Sequence, residues 1–322
     1  MIEVRNLTKN YGRIEAVRNV SFSVGKDQVV GFLGPNGAGK TTIMKILTGY
    51  HFPTAGTALI DGIQVEEDPV EVKKRIGYLP ENVPLYSDLT VDEYLSFIAQ
   101  ARLIPADERR KAIDACLEAC GLTAYRGRKI ETLSKGFRQR TGLAQAILHD
   151  PPILILDEPT NGLDPNQIIE IRSLIMELGR RKTVILSSHI LQEIEAICSQ
   201  VLIINDGMIA AQGTPEEIAG TLKGGDTWEL LLKGADESAI KYRLATLGKG
   251  LSSVTAVQDE GGAVNLSFFI PEDDSAGSSA GERIFDWAVR EGLKILGMNR
   301  KKLSLEDIFV KLTTEEHRNG TK

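Results

Sequence analysis

The spacing of hydrophobic residues changes along this chain, and each change predicts a different kind of element. Over the first 60 residues the apolar positions come in short alternating bursts, Ile2-Glu3-Val4 and Val20-Ser21-Phe22-Ser23-Val24, which predict strands with one buried face. Val29 to Leu33 is a continuous apolar run, and Ala58-Leu59-Ile60 ends in the turn pair Asp61-Gly62. From about Thr90 to His149 the spacing lengthens to three and four. Val91, Leu95 and Ile98 share one helical face, as do Ile113, Leu117 and Cys120. Pro151-Pro152 closes that stretch, because proline lacks an amide donor and ends helices. Ile153 to Leu156 and Val184 to Leu186 are apolar at every position, the mark of strands covered on both faces. Helix-like stretches between them make βαβ units, hence a parallel sheet.

Near Lys223-Gly224-Gly225-Asp226 the pattern breaks, separating a first unit (1–222, with a helical part at about 86–150) from a second (226–313). The second begins with a strand, Trp228 to Leu232, and a helix with Ile240, Leu244 and Leu247 on one face. A hairpin follows, Val254 to Val257 and Val264 to Ile270, joined through Gly261-Gly262. Residues 271–281, rich in Ser, Gly and acid, read as a loop. A helix carrying Ile284, Trp287 and Ala288 and a strand at Lys294-Ile295-Leu296 complete the order β-α-β-β-α-β, which predicts a small ferredoxin-like sandwich. The tail, 314–322, is polar.

Chemistry enters at Gly34-Pro35-Asn36-Gly37-Ala38-Gly39-Lys40-Thr41, between the apolar strand and the helix-like Thr42-Ile43-Met44-Lys45-Ile46-Leu47. The pattern G-x-x-x-x-G-K-[ST] in that setting is a phosphate-binding loop. Its glycines let successive N–H groups point inward at a polyphosphate, and the helix N-terminus adds partial positive charge. Lys40 then reaches the β- and γ-phosphates, and the Thr41 hydroxyl suits a magnesium ion. The chain is therefore expected to bind a nucleoside triphosphate, with Thr42 continuing the loop.

Composition narrows the setting. Hydrophobic content of 42% and charged content of 25% are those of a soluble globular protein. No apolar run approaches the roughly 18 residues that cross a bilayer, and Met1-Ile2-Glu3 begins no secretion signal. A cytosolic protein is expected. A net charge of −6 opposes non-specific nucleic-acid binding, apart from a local cluster at Arg126, Arg128 and Lys129. Three cysteines fit a reducing compartment. Cys116 and Cys120 stand four apart on a helix with no second ligand pair near, and read as small apolar packing residues.

Asp157 and Glu158 close the buried run Ile153 to Leu156. Carboxylates at the carboxyl end of such a strand lie where parallel sheets bind ligands. Asp157 suits magnesium, and Glu158 suits a water in line with the γ-phosphate. Further motifs stand in order. Leu133-Ser134-Lys135-Gly136-Phe137-Arg138-Gln139-Arg140 resembles the signature of ATP-binding cassette (ABC) ATPases, usually Leu-Ser-Gly-Gly-Gln. Asn161-Gly162-Leu163-Asp164 is similar to their D-loop, and Ser187-Ser188-His189 to their switch segment. Tyr11 resembles the aromatic that stacks on adenine. Ser134 also suits a helix N-cap. The resemblance covers residues 1 to about 220.

It implies a phosphate-loop ATPase fold: a RecA-like core with a β-subdomain and a helical subdomain. It further implies that two copies sandwich two ATP molecules, each phosphate loop facing the other copy's Ser134, Lys135 and Gly136. It implies Mg²⁺ at Thr41, Asp157 and Glu81, a γ-phosphate contact from His189, and a D-loop role for Asp164. A separately encoded membrane permease would hold the chain at the cytoplasmic face. Two departures stand out: Glu81 occupies the place of the usual Q-loop glutamine, and Lys135 and Phe137 replace glycine and glutamine. Both, with the closing run Leu303 to Phe309, resemble the ATP subunits of ABC-2-type exporters. Within these, Tyr78 to Tyr86 most resembles the gliding-motility and nitrous-oxide-reductase-accessory types. A ribosome- or DNA-acting ABC protein fits less well, since the chain has neither tandem cassettes nor a coiled-coil insertion. Lys40, Asp157, Glu158 and His189 together argue for turnover rather than a purely regulatory module.

Overall fold

The computed structural model describes residues 1–301 apart from 216, 219–224, 248–250, 260 and 272–278. The run Leu303 to Phe309, the tail 314–322, most of the 271–281 loop and the break at Lys223-Gly224 lie outside the described residues. Contacts divide the chain between Pro215 and Glu216.

The first unit opens with β1 (Ile2–Tyr11), β2 (Ile14–Val24) and β3 (Val29–Leu33). The first two are longer than the bursts that predicted them. Their pairing register shifts between Val4 and Leu7 and again before Lys9, and Asn6 and Asn19 each take φ of 49°. Such bulges interrupt the two-residue period while pairing continues. With β4 (Ala55–Ile60) and β5 (Ile63–Gln64) they form an antiparallel sheet in the order β2-β1-β4-β5.

The fully apolar runs make the second sheet. It contains β3, β6 (Ile76–Leu79), β7 (Ile153–Leu156), β8 (Thr183–Ser188), β9 (Gln200–Asn205) and β10 (Met208–Gly213), ordered β10-β9-β3-β8-β7-β6. All neighbours are parallel except β9 and β10. That hairpin was not legible as a strand pair; its turn is Asp206-Gly207, both with positive φ (44° and 77°). Every residue of β7 and β8 is buried, so the strands are covered on both faces.

Helices α1 (Lys40–Leu47), α2 (Pro69–Arg75), α3 (Val91–Ala101), α4 (Ala106–Ala119) and α5 (Lys135–Ile147) precede β7; α6 (Pro165–Gly179) and α7 (Leu191–Ile197) follow it. α3 begins at a reciprocal capping box between Thr90 and Glu93. Val91 and Leu95 of α3 and Ile113 and Leu117 of α4 are buried as their spacing predicts. Cys116, Cys120 and Cys198 are free and buried, and burial pushes the Cys116 thiol up to about 12. These thiols are packing residues. Arg126, from the basic cluster, is committed to ion pairs with Asp92 (2.5 Å) and Asp114 (2.7 Å).

In the second unit β11 (Gly225–Lys233), β12 (Ser252–Gln258), β13 (Val264–Pro271) and β14 (Lys294–Lys301) form an antiparallel sheet, β12-β13-β11-β14. Helices Glu237–Leu244 and Ala280–Arg290 supply the α elements of the β-α-β-β-α-β order. This is the ferredoxin-like sandwich. Trp228, Leu230 and Leu232 face its core with Val264, Leu266 and Phe268. Ile284, Trp287 and Ala288 close it from the helix side, and the Trp287 indole donates to the Arg243 carbonyl at 3.1 Å.

Candidate functional site

The carboxyl ends of the parallel strands converge on a cavity of about 430 Å³. The segment Asn36–Thr42 forms one wall, and Glu81, Glu158, Asn161 and His189 face it. This is the position the sheet topology favours.

The loop wall is built by backbone demands. A side chain at Gly34 would place Cβ 2.3 Å from the Ile204 carbonyl oxygen. Gly37 and Gly39 take φ of 85° and 106°, conformations open to glycine. Gly39 caps α1 without any side-chain hydrogen bond, so the first amides of that helix keep their donors for an anion. Lys40, buried at 6% exposure, donates from Nζ to the Gly34 carbonyl (2.7 Å) and lies 3.6 Å from Glu158 Oε1.

The opposite wall comes from the ends of β7 and β8. Asp157 continues the ladder through its amide to the Leu79 carbonyl (2.8 Å). Its Oδ1 accepts from Ser187 Oγ (2.6 Å) and Thr41 Oγ1 (3.3 Å). Oδ2 is buried and has no hydrogen-bond partner among the described residues. Burial raises the Asp157 pKa, more than the Ser187 and Thr41 hydrogen bonds lower it, and the Glu81 charge adds to the rise. Glu158 takes φ of 47°, an uncommon conformation for a residue with a side chain. Its amide donates to Ser187 Oγ (2.9 Å), and its Oε2 lies 2.9 Å from His189 Nδ1. Residues held in such sparsely populated backbone conformations cluster at reactive sites.

Most of the sequence candidates meet here, and some stand apart. Thr41, Thr42, Lys40, Glu81, Glu158 and His189 line the cavity; Asp157 is bonded to Thr41 behind it. Tyr11 does not line it. It ends β1, 41% exposed, with the His51 ring edge-on at 5.7 Å and Lys9 Nζ 5.2 Å from its centroid. Ser134, Lys135 and Gly136 begin α5, where Ser134 Oγ accepts from the Phe137 amide at 3.5 Å. Asp164 caps α6, accepting from the Gln167 amide at 3.0 Å. Residues not singled out from sequence are Ala16 and Asn161 in the lining, with Asn161 Nδ2 donating to Glu81 Oε1 (3.2 Å), and Ser187, which joins the Asp157 carboxylate to the Glu158 amide. Asn161 and Ser187 stood inside motifs already noted, but only their hydrogen bonds give them a part.

The ABC transporter family model matches residues 17–161, which include the loop, the signature and the paired carboxylates. The uncharacterized ABC transporter ATP-binding protein YxlF of Bacillus subtilis (strain 168) is 34% identical over 97% of this chain and 99% of its own. The chain belongs to the ATP-binding subunits of ABC transporters. It is also 33% identical to the bacitracin transport ATP-binding protein BcrA of Enterococcus faecalis, over 97% of this chain and 96% of that one. Among solved structures it resembles the dimeric, post-hydrolysis cassette MJ0796 bound to ADP and Pi, with a TM-score of 0.61 and 27% identity. That likeness spans 66% of this chain and 98% of the other. The fold is that of an ABC ATPase cassette, and this ABC subunit binds and hydrolyses ATP.

Proposed function

We propose that the subunit powers export through a separately encoded ABC-2-type membrane permease, and that two copies close over two ATP molecules to do so. The observation that carries the catalytic assignment is the position of Glu158. Its two oxygens lie 3.6 Å from Lys40 Nζ and 2.9 Å from His189 Nδ1, facing the phosphate loop across one cavity.

From that position Glu158 orients a water in line with the γ-phosphorus and takes its proton. The new P–O bond forms as the bond to the β-phosphate oxygen breaks, leaving ADP and orthophosphate. Lys40 and the amides of Gly37 to Thr41 bind the phosphates and meet the charge that develops on the transferring group. His189, held through Nδ1 by Glu158, keeps its second ring nitrogen for the γ-phosphate. Tyr11 offers a π-face to adenine. The residues fit Mg²⁺: Asp157 Oδ2 is buried with no hydrogen-bond donor among the described residues, and Thr41 Oγ1 and Glu81 would supply further oxygen ligands beside it. When bound, the ion neutralises phosphate charge.

Ser134 and Lys135 are exposed at the start of α5 and do not line the same chain's cavity. A second copy related by a two-fold axis supplies them, each copy completing the other; Asp164, in the loop leading from Glu158, borders that junction. The dimeric state of MJ0796 supports this reading. Support for the permease comes from exposed apolar side chains, of which Tyr50 lines a cavity together with Glu81. Tyr50, Tyr86, Phe97 and Leu103 are 66%, 55%, 46% and 82% exposed. Exposed aromatics of this kind mark protein interfaces. No described helix is long and apolar enough to cross a membrane. The subunit then sits on the cytoplasmic face through its permease. Export is supported by the bacitracin transport protein and by a Nod factor export ATP-binding protein from Ralstonia nicotianae, 32% identical over 99% of this chain.

Glu158→Gln tests the catalytic assignment. Turnover should fall about 10²-fold or more while ATP stays bound, whereas Lys40→Ala should lose ATP binding itself. ATPase activity of Glu158→Gln near that of the parent overturns it.

A further inference from the structure

Glu193, on α7, is 2% exposed. Its Oε2 accepts from Thr160 Oγ1 at 2.6 Å and from Ser188 Oγ at 2.9 Å. Its Oε1 is buried with no hydrogen-bond partner among the described residues and lies 4.0 Å from Arg172 Nη2 of α6. A buried carboxylate needs such partners, because an ionised group out of water is costly unless paired and hydrogen-bonded.

The partners are placed with consequence. Thr160 lies two residues beyond Glu158, in a loop tightened by the Asn161 amide bonding to the Glu158 carbonyl at 3.1 Å and the Leu163 amide to the Thr160 carbonyl at 3.2 Å. Ser188 immediately precedes His189, and its hydroxyl also accepts from the Ile190 amide at 2.9 Å. One carboxylate oxygen thus ties the segment after Glu158 to the turn that presents His189. The other oxygen faces the helix that Asp164 caps.

We infer that Glu193 is the positioning residue for hydrolysis: it sets the separation of Glu158 and His189 and links both to the loop 161–164. It touches no reacting atom. Its effect is geometric, and a displacement near 1 Å of a catalytic group costs up to about 10²-fold in rate. The inference rests on the catalytic assignment of Glu158 and His189.

The test measures kcat and KM for ATP in the full chain, with Glu158→Gln as control. Glu193→Gln keeps an oxygen that can accept from both hydroxyls, and kcat should stay within about threefold of the parent. Glu193→Ala removes the acceptor, and kcat should fall about 30- to 100-fold with KM within about threefold, since phosphate binding is untouched. If Glu193→Ala does not fold, the pair Thr160→Val and Ser188→Ala removes the two donors with a smaller change of volume and should reproduce the loss of kcat. A kcat within twofold of the parent in folded Glu193→Ala, or in the Thr160→Val/Ser188→Ala protein, overturns the inference. Equal losses in Glu193→Gln and Glu193→Ala overturn it too, because charge rather than the shared acceptor would then matter. Should Glu158→Gln retain activity, the failure lies in the catalytic assignment instead.

Discussion

Two helix N-termini in the cassette are both suited to phosphate, yet they are built in opposite ways. α1 starts after Gly39 with no side-chain cap, beneath a loop whose lysine is buried and beside two carboxylates. Its unused amides, Lys40 and Glu158 face one cavity within one chain. α5 starts after Ser134, whose hydroxyl caps it, and Ser134 and Lys135 are exposed. Neither residue lines the cavity of its own chain. What lies around the start of α5 is structural: a Cβ at Gly136 would come 2.6 Å from the Gln167 side chain, so the segment packs closely on α6. Phe137, which stands where the family usually has glutamine, stacks on Tyr125 with ring centroids 3.9 Å apart. The difference teaches that the first N-terminus meets its facing groups within the chain, whereas the second leaves Ser134 and Lys135 on the surface.

The sharpest way to break this comparison is to block the exposed terminus. Ser134→Arg adds a large cation where a second copy's phosphates would sit, and should lower turnover about 10²-fold while leaving ATP binding by the same chain intact. Paired with Glu158→Gln and ATP, it should also prevent the shift from monomer to dimer on a sizing column. Normal turnover in Ser134→Arg would mean that α5 serves its own chain only.

A smaller effect is expected at Glu81, on the phosphate-loop side, where Asn161 holds its carboxylate. The charge sits beside Asp157 and the phosphate loop, and a hard cation accepts carboxylate oxygen readily. Glu81→Gln should keep ATP binding and most basal hydrolysis. Glu81→Ala should uncouple hydrolysis from the permease, so that reconstitution no longer stimulates it. Unchanged stimulation in Glu81→Ala would confine Glu81 to a solvated loop.

The smallest effect concerns the far end of α5. His149 lies just beyond that helix, its Nε2 3.2 Å from the Ile76 carbonyl and its Nδ1 buried with no hydrogen-bond partner among the described residues. Burial first, then the Arg102 charge, lowers its pKa from 6.5 to about 4. The unfolded chain therefore takes up a proton at a pH where the folded protein does not. Stability from this group is full above about 6.5 and is lost as pH falls toward about 4. Between pH 7 and 5, His149→Gln should reduce the fall in melting temperature by about 2–4 °C. An identical fall in both proteins would show that this end of α5 does not titrate.

The elements nearest the chemistry were the most legible, for a local reason. A phosphate loop needs glycines at positive φ and a lysine at one spacing, and the demand is met within eight consecutive residues, Gly34 to Thr41. Asp157 and Glu158 were legible because they end a run of buried apolar residues. β1 and β2 were legible only in pieces, since bulges at Asn6 and Asn19 break the alternation that marks a strand. The β9–β10 hairpin escaped although Asp206-Gly207 is a good turn pair. In the second unit the alternation is unbroken in β13, and there the element bounds nearly coincide with those read from sequence.

By itself, then, the sequence determined the order of elements, the anion-binding loop and the identity of the groups that face it. These depend on backbone geometry and residue type over short stretches. The tertiary structure alone decided which groups act on one another. Ser187 stands between Asp157 and the Glu158 amide, Asn161 holds Glu81, and Glu193 joins Thr160 to Ser188. Each of these bonds crosses between segments that meet at the ends of parallel strands, or on the helix that follows them. A carboxylate such as Glu193 looks like any exposed helix acid until packing removes it from water. Once it is buried, its charge must find partners, and here they stand just after Glu158 and just before His189.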